Sequence, residues 1–310
     1  MLSVIIPAYN EAENINPAAE AIGSVLRAAG IGYELIFVND GSTDASWESI
    51  TRLSEQDPAV RGLCFSRNFG KEAAIFAGIS AAEGDCCVVI DCDLQHPPEK
   101  IVDMYRLWEQ GFEVIEGVKA HRGKETAGYG LAARLFYKLI SRSTGMDLMN
   151  ASDFRLLDRK AMDSLLTMGE QHAFFRALSS WIGFRTATVE FDVCERNAGE
   201  TKWTTRALVR YALTNITSFT SAPMQLITVM GVITLIVSII MGVVALYQKF
   251  SGVALGGFTT VIILQLFTGS LVMMSLGIIG HYLAKIYDEL KARPRYIISA
   301  SCGKRQEDKP

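Results

Sequence analysis

Short apolar runs alternate with longer segments of helical apolar spacing over the first 120 residues of the chain. The apolar runs predict strands at residues 3–7, 33–39, 60–65, 86–91 and 113–118. The segments between them predict helices at residues 14–28, 44–55, 71–82 and 98–110. This alternation favours a Rossmann-like α/β fold, a mostly parallel sheet with helices on both faces.

The pattern after residue 120 is less regular. It predicts a helix at 125–144, a strand at 153–157, helices at 159–166 and 171–181, and a strand at 185–194. Residues 204–220 have apolar positions at helical spacing with basic residues beside them, which predicts an amphipathic helix lying in a membrane interface. An ordinary surface helix is the alternative for this segment.

Two long windows, 211–248 and 250–284, contain no Asp, Glu, Lys or Arg. Each holds more than about 20 largely apolar residues, enough to cross a bilayer as a helix. We predict transmembrane helices at about 226–247 and 261–283. Two buried helices of a soluble core are the weaker alternative, because such helices rarely lack a polar face over this length.

Basic residues flank the two predicted spans unevenly. Arg206 and Arg210 precede the first span, four basic residues follow the second, and the connection carries only Lys249. The positive-inside rule therefore predicts a multi-pass protein of the inner (cytoplasmic) membrane, with both termini and the large domain in the cytoplasm. The predicted parts are an α/β domain at 1–203, the interfacial helix at 204–220, a membrane domain at 221–295 and a cytoplasmic tail at 296–310.

Charge and cysteine usage narrow the possible partners. The chain has 30 basic and 33 acidic residues and no long basic run before its C-terminal third, which argues against a nucleic-acid partner. Its six cysteines form no C-x-x-C pair, and four lie in or beside apolar runs. We expect reduced thiols in a cytosolic compartment.

Polar motifs follow four of the predicted strands. Asn10 and Glu11 follow the first strand, Asp40 the second, residues 67–71 the third, and Asp91 with Asp93 the fourth. The carboxyl ends of parallel strands share one edge of a sheet, where ligands of such folds bind. The sequence therefore predicts a single site at this edge.

Asp91 and Asp93 are the central candidates for chemistry. Two carboxylates at i and i+2, with the neutral oxygen of Gln95, suit Mg²⁺ or Mn²⁺. Such a cation neutralises the charge that a nucleoside diphosphate gains as it leaves. Two acids at this spacing occur readily by chance, and it is the apolar strand leading into them that supports the prediction.

The other strand ends offer nucleotide contacts. Pro7 is expected to end strand pairing, and Tyr9 has a ring that can stack on a base. Asp40 suits hydrogen bonds from a base or ribose, or else a turn in which Asp44 caps the next helix. Residues 67–71 combine two cations with a glycine at a helix start, as a diphosphate clamp would.

Basic residues near the predicted membrane edge are candidates for binding a lipid phosphate. Arg122 and Arg134 follow the fifth strand, and Arg196 and Lys202 flank a glycine-containing loop before the interfacial helix. Each is, taken alone, more often a surface charge than a ligand.

Taken together, these motifs resemble family 2 glycosyltransferases of the GT-A fold. Within that family the chain is most similar to polyprenyl-phosphate sugar transferases such as bactoprenol glucosyltransferase and, more distantly, dolichol-phosphate mannose synthase. The resemblance covers nearly the whole chain. It rests on Val4-Ile5-Ile6-Pro7-Ala8-Tyr9-Asn10-Glu11, Asn39-Asp40-Gly41-Ser42, Ser66-Arg67-Asn68-Phe69-Gly70-Lys71-Glu72-Ala73-Ala74, Asp91-x-Asp93-Leu94-Gln95, Asp153-Phe154-Arg155-Leu156 and Glu195-Arg196-x-x-Gly199-x-Thr201-Lys202.

The resemblance implies roles for individual residues. It implies nucleotide binding by Pro7, Tyr9, Glu11, Asp40, Lys71 and Asp91, a divalent cation on Asp91, Asp93 and Gln95, and catalytic parts for Asp153 and Asp93. Two positions depart from the pattern: many members have two acids at Asn39-Asp40, and many have Asp or Asn at His96. The second departure bears on the fit of the donor.

The implied reaction is an inverting displacement in which a polyprenyl phosphate attacks a UDP-sugar, with glucose the first choice, and UDP leaves. A phosphate monoester is already mostly a dianion at neutral pH and needs no base. We therefore expect Asp153 to position Arg155 or the acceptor. Relatives suggest a homo-oligomer, a tetramer, which the sequence itself leaves open.

Two other functions compete with this interpretation. One is a transferase acting on a hydroxyl acceptor, although the Gln-x-x-Arg-Trp signature of processive relatives is absent. The other is a non-enzymatic membrane scaffold that retains the fold, against which the intact Lys71, Asp91 and Asp93 argue.

Overall fold

The computed structural model describes residues 1–120, 151–170, 174–192, 222–251 and 258–303. The chain divides into two compact units, Met1–Thr205 with Pro294–Pro310, and Arg206–Arg293. The predicted helices at 125–144 and 204–220 lie outside the described residues, as do Arg122, Arg134, Arg196 and Lys202.

The first unit contains eight described strands and six described helices. The strands are β1 Leu2–Ala8, β2 Tyr33–Asn39, β3 Val60–Phe65, β4 Cys86–Val89, β5 Val114–Lys119, β6 Ala151–Asp158, β7 Thr186–Phe191 and β8 Ile298–Cys302. The helices are α1 Ile15–Ala28, α2 Ser46–Gln56, α3 Lys71–Ala81, α4 Glu99–Glu109, α5 Arg159–Thr167 and α6 Phe175–Trp181.

The strands form one mixed sheet in the order β7-β5-β6-β4-β1-β2-β3-β8. The pairs β1–β2, β1–β4, β2–β3 and β5–β7 are parallel, which confirms the predicted mostly parallel α/β sheet. Strand β6 runs antiparallel to both β4 and β5, and β8 runs antiparallel to β3.

Strand β1 lies in the middle of the sheet because both of its faces are apolar. Val4 and Ile6 pack in the core with Ile22 of α1 and Met104 of α4, and all four side chains are fully buried. On the other face, Ile5 lies so close to Gly78 of α3 that a Cβ on that glycine would overlap it. Helices therefore cover both faces of the sheet, and its edges are left for binding.

The structure corrects three local details. Strand β1 continues past Pro7, which pairs with Val38, so Pro7 does not end strand pairing. Strand β4 ends at Val89, so Asp91 lies in the following turn. Helix α2 begins at Ser46 with Ala45 at its N-cap, although Asp44 still accepts a hydrogen bond of 3.0 Å from the Ser46 N–H.

Strand β8 was not predicted, because residues 296–310 were expected to be a tail. Ser301 pairs with Leu63, and Ser66 N–H donates to the carbonyl of Ile297 at 3.0 Å. Tyr296 stacks on Phe65, with ring centroids 5.1 Å apart. The segment that follows the second apolar helix therefore completes the edge of the sheet beside β3.

The second unit contains two long apolar helices, α7 Ala222–Phe250 and α8 Phe258–Leu290. Within them, Ile227–Val244 and Leu264–Leu290 are long and apolar enough to cross a membrane, judged by length and composition. The predicted spans at 226–247 and 261–283 lie inside these helices. Apolar side chains such as Ile236 and Phe267 are more than half exposed on the protein itself.

Candidate active site

Hydrogen bonds join the carboxyl ends of β1 and β2. Asn10 N–H donates to the Ser42 hydroxyl at 2.9 Å, and the Asn10 side-chain carbonyl accepts from Thr43 N–H at 2.8 Å. Asn10 adopts a left-handed backbone conformation, with φ of 54°. The first two predicted motifs therefore meet at one edge, as expected from parallel pairing.

Asp40 ties the end of β2 to the loop after β3. Its carboxylate accepts from the N–H of Phe69 at 2.6 Å and from the N–H of Gly70 at 2.9 Å. Burial raises the pKa of Asp40, while these two N–H groups and Arg67 act in the opposite direction. In this structure Asp40, predicted to contact a nucleotide, shapes the 67–71 loop.

An aromatic chain runs from the C-terminal segment into the same loop. Phe65, on which Tyr296 stacks, meets Phe69 edge-on at 5.7 Å. The guanidinium of Arg67 lies over the Phe69 ring, 4.1 Å from its centroid. Residues Tyr296, Phe65 and Phe69, named here the aromatic chain, support the loop from its outer side.

Lys71 lies between two carboxylates. Its Nζ is 2.5 Å from Asp91 Oδ1 and 2.8 Å from Asp153 Oδ2. Val89 of β4 pairs with Arg155 of the antiparallel β6, and continuing this register places residue 91 opposite residue 153. Burial opposes the charge, but both carboxylates raise the pKa of Lys71 above its ordinary value.

Arg176, the second residue of α6, holds Asp153 from the other side. Its Nε donates to Oδ1 at 2.5 Å and its Nη2 to Oδ2 at 2.9 Å. Burial alone would raise the pKa of Asp153, but Lys71 and Arg176 lower it well below its ordinary value. Asp153 is 6 % exposed and is ionised at every physiological pH.

Arg155 does not contact Asp153, contrary to the expectation that Asp153 positions it. Its guanidinium is fully buried, lies 2.9 Å from Glu116 Oε1, and donates to the hydroxyls of Ser179 and Ser180. It also donates to the carbonyl of Arg176 at 3.0 Å. Arg155 therefore fixes helix α6, and Arg176 is the partner that Asp153 holds.

Sequence reasoning missed Arg176 as a site residue. The arginine lies inside a predicted helix, and nothing in its spacing distinguishes it from a surface charge. Only the antiparallel return of β6 and the fold of α6 bring it against Asp153.

Glu72 links α3 to α6. Its Oε2 accepts a hydrogen bond of 2.9 Å from Phe175 N–H, at the first residue of α6. Burial and the charge of Asp153 raise the pKa of Glu72 from 4.5 to about 7. Glu72 and Arg155 thus hold the helix that carries Arg176.

The segment after Asp91 is folded tightly. Leu94 has a φ of 55°, in the left-handed region, and Asp93 Oδ1 accepts from Gln95 N–H at 3.1 Å. Asp93 is 8 % exposed. Of the three residues predicted to hold a cation, Asp91 and Gln95 line the cavity beside this turn, whereas Asp93 is buried in the turn itself.

These residues fit a divalent cation only with help from a ligand. Within the described part of the chain, no three His, Cys, Asp or Glu side chains are arranged to hold a metal ion. Asp91 and Asp93 supply two hard oxygen ligands, and Mg²⁺ is often held by one or two carboxylates with substrate phosphates and water completing its shell. This donor set therefore suits a cation that arrives with a diphosphate.

A small polar cavity lies beside this turn. It measures about 100 Å³ and is lined, among the residues that the structure describes, by Asp91, Gln95, His96, Lys119, Ser152, Asp153 and Arg176. His96 is 7 % exposed, and its ring packs against Phe154 and Phe191 with both centroid distances 5.1 Å. Burial lowers the pKa of His96, so its ring is neutral at pH 7.

The remaining predicted contacts lie at the same edge. Tyr9 is 41 % exposed, as a ring that stacks on a ligand must be. Glu11 N–H donates to Ser46 at 2.9 Å, and its carboxylate accepts from Asn14 at 2.5 Å.

The five described cysteines are free thiols, in agreement with the sequence analysis; Cys194 lies outside the described residues.

Comparison with known families decides what this arrangement belongs to. The sequence pattern described as "Glycosyl transferase family 2" matches residues 3–166, more than half of the chain. The chain belongs to glycosyltransferase family 2. The match includes β1 through β6, and with them Asp40, Lys71, Asp91 and Asp153.

Curated relatives align with this family 2 glycosyltransferase over nearly its whole length. It is 39 % identical to "Uncharacterized glycosyltransferase YkcC" of Bacillus subtilis, over 97 % of this chain and 94 % of the relative. It is 34 % identical to "Prophage bactoprenol glucosyl transferase homolog" of Escherichia coli, over 96 % and 98 %. It is 33 % identical to "Bactoprenol glucosyl transferase" of Shigella phage SfII, over 97 % and 98 %.

Among solved structures, glucosyl-3-phosphoglycerate synthase of Mycobacterium tuberculosis, in complex with Mn²⁺ and UDP-glucose, matches the glycosyltransferase with a TM-score of 0.48. The two sequences are 19 % identical, over 70 % of this chain and 76 % of that one.

Proposed function

We propose that this glycosyltransferase moves a sugar, with glucose the first candidate, from a UDP-sugar to a polyprenyl phosphate at the cytoplasmic face of a membrane. The observation that supports a phosphate acceptor is that Lys71 and Arg176 both form ion pairs with Asp153. Relatives named bactoprenol glucosyl transferase, aligned over nearly the full chain, support the same acceptor.

Asp153 is a poor general base because two cations hold its carboxylate. A base that removes a proton from a sugar hydroxyl works best with a pKa near the working pH, and the pKa of Asp153 lies far below it. A phosphate monoester reaches the site already ionised and needs no proton removed. The geometry thus favours a phosphate acceptor over a hydroxyl acceptor.

The residues at the strand ends divide the remaining work. We assign Tyr9 and Glu11 to the nucleotide and Arg67 to its phosphates, beside the loop that Asp40 holds. Asp91, Asp93 and Gln95 would hold Mg²⁺ or Mn²⁺, which supplies positive charge for the departing diphosphate when bound. Lys71, already beside Asp91, adds a fixed positive charge on the same side.

The exposed apolar faces of α7 and α8 support the membrane location. Many of their apolar side chains, such as Ile236 and Phe267, are more than half exposed on the protein itself, and a bilayer would bury them. We propose that they form a transmembrane hairpin with both ends cytoplasmic, because basic residues flank the outer ends of the pair. The α/β domain then meets its lipid acceptor at the membrane surface.

Transfer of radiolabel from a UDP-sugar to an organic-extractable lipid tests the proposal. Purified protein is incubated with undecaprenyl phosphate, and with the unphosphorylated alcohol as a matched acceptor, each with and without EDTA. We expect label only with the phosphate and only without chelator. Label on the alcohol would favour the hydroxyl-acceptor alternative, and no label with any donor would leave the scaffold alternative standing.

A pH–rate profile of Asp153→Asn tests the role of Asp153. If the carboxylate positions Lys71 and Arg176, the variant loses activity by a similar factor at every pH. Recovery at high pH, where solvent can act as the base, would contradict the positioning role. Asp163→Asn, an exposed acid on α5, is the matched control and should keep full activity.

A further inference from the structure

His96 is the buried polar side chain that the proposed reaction leaves without a task. Its Nδ1 atom is buried and has no hydrogen-bond partner among the described residues. Asp91 Oδ2 lies 4.0 Å from this nitrogen, beyond hydrogen-bond distance. A buried polar atom without a partner destabilises the folded protein, so a ligand that supplies the missing hydrogen bond is favoured at this position.

The partner comes from the cavity that His96 lines. This cavity, of about 100 Å³, has room for roughly three water molecules, too little for a nucleotide but enough for several hydroxyl groups. Every residue named as its lining is polar. The ligand must therefore be small and must satisfy donors and acceptors together.

The charges around the cavity select the chemical class of that ligand. The charged residues of the lining balance, since Asp91 and Asp153 are acidic and Lys119 and Arg176 are basic. With no net charge, the lining by itself favours neither an anion nor a cation. A neutral polyol can form hydrogen bonds with both the acidic and the basic side chains, because each hydroxyl group donates one hydrogen bond and accepts others. A UDP-sugar has two parts of this class, the ribose and the transferred hexose. Asp153, which we assign to the acceptor side, lines the cavity, so the hexose that meets the acceptor is the part that fits here.

We propose that His96 contacts the donor sugar: its Nδ1 hydrogen-bonds one hydroxyl of the hexose and so helps to select the donor. The proposal rests on the proposed function, since it assumes a UDP-sugar donor. The rings of Phe154 and Phe191 fix the orientation of the imidazole, so the contact is directional. A site built in this way discriminates between sugars that differ at that one hydroxyl.

The experiment is a double-mutant cycle. One change replaces the His96 side chain, and the other removes one hydroxyl group from the donor sugar. Wild type, His96→Phe and His96→Asn are assayed with the UDP-hexose that wild type prefers and with its 2-, 3-, 4- and 6-deoxy forms. Phenylalanine keeps a ring between Phe154 and Phe191 but removes both nitrogens. Asparagine keeps a polar group at the δ position. Thermal melting of each variant shows that it is folded.

We expect one deoxy donor to lower kcat/KM of wild type by roughly 10- to 100-fold, the effect of one lost buried hydrogen bond. His96→Phe should show a similar loss with the complete sugar and little further loss with that deoxy donor. His96→Asn should recover part of the discrimination. Binding of UDP alone, measured by titration calorimetry, should be unchanged in both variants.

Two results would overturn the inference. One is an equal penalty for every deoxy donor in wild type and His96→Phe, and the other is an equal loss in the binding of UDP alone or of Mn²⁺, which would place His96 at the nucleotide or the cation. Either leaves the proposed function intact, because wild type still transfers sugar. A wild type that turns over no UDP-sugar overturns the proposed function and this inference together.

Discussion

Arg176 grips Asp153 through two nearly parallel hydrogen bonds, Nε to Oδ1 at 2.5 Å and Nη2 to Oδ2 at 2.9 Å. This two-point contact fixes the plane of the carboxylate as well as its charge. Lys71 then reaches the same carboxylate and Asp91 from a defined direction. The orientation of the whole cluster thus depends on α6, a helix of only seven residues.

Arg176→Lys should keep the positive charge but lose the pair of N–H groups that bind both oxygens of Asp153. Lysine offers one ammonium in place of two parallel N–H groups, so Asp153 and Lys71 should become misplaced. We expect kcat/KM to fall about 10-fold for Arg176→Lys and about 100-fold for Arg176→Ala, the effect of roughly a 1 Å displacement at a reacting centre. Arg52→Ala, an exposed change on α2, is the control. Equal activity of Arg176→Lys and wild type would show that catalysis does not depend on the two-point contact between Arg176 and Asp153.

Glu72→Gln should change how stability depends on pH. The pKa of Glu72 rises from 4.5 to about 7 in the folded protein, so the folded state holds this proton more tightly than the unfolded state. The resulting stabilisation is complete below about pH 4.5 and is lost as pH rises through about 7. Glutamine keeps an acceptor for Phe175 N–H and cannot ionise.

The measurement for Glu72 is the Tm in detergent at several pH values from 4.5 to 8.5. We expect wild type to lose Tm relative to Glu72→Gln as the pH rises through this range. Other groups titrate in both proteins, so the difference between the two curves isolates Glu72. Parallel curves would show that Glu72 does not titrate there.

Gly41→Ala should damage the junction between the β2 and β3 ends. Gly41 has a φ of 64°, and a Cβ there would overlap the backbone of Arg67 and Asn68. Gly30 has a similar φ of 69° but open space around it, so Gly30→Ala is a matched control for backbone strain alone. Strain of this kind costs roughly 1–2 kcal/mol at either glycine.

Only the variant at Gly41 should also displace the 67–71 loop. We expect Gly30→Ala to lower Tm without altering the KM for the donor, and Gly41→Ala to lower Tm further and raise that KM. Identical KM values for the two variants would mean that the loop accommodates the extra methyl group.

Tyr296→Ala should weaken the outer support of the same loop. The stacked pair of Tyr296 and Phe65 is worth about 0.5–1.5 kcal/mol, and the aromatic chain continues to Phe69. We expect a lower Tm and a higher KM for the donor. Ile297→Ala is the control, because that side chain is 52 % exposed and only the Ile297 carbonyl binds Ser66. Equal effects of both variants on Tm and on the KM for the donor would show that the aromatic chain does not specifically support the 67–71 loop.

The sequence predicted the central sheet well because its signals are local. Strands β1 to β4 are mostly apolar runs, and their parallel order follows from the helices between them. The meeting of Asn10, Asp40, Lys71 and Asp91 at one edge follows from that order. The errors in this part of the chain concern the ends of elements, at Pro7, Asp91 and Asp44, and leave the order of the strands unchanged.

The sequence could not show what depends on distant parts of the chain. The antiparallel β6 sets Asp153 opposite Asp91, yet a short apolar run carries no sign of direction. Arg176 looked like a surface charge. Arg155 was one of the two partners expected for Asp153, but it pairs with Glu116 on another strand, which its spacing could not show. Strand β8 was missed because residues 296–310 were interpreted as a tail, although Ile-Ser-Ala-Ser-Cys alternates apolar and small polar residues as a half-buried strand does.

The late position of β8 has a consequence for biosynthesis. Ser299 binds Cys64 across 235 residues, and the two apolar helices are translated between them. When β3 has been translated, its outer edge still has no partner strand. An unpaired strand edge can form hydrogen bonds with another nascent chain. The α/β domain therefore completes its sheet only after both apolar helices have been translated, so its last strand forms long after the strand with which it pairs.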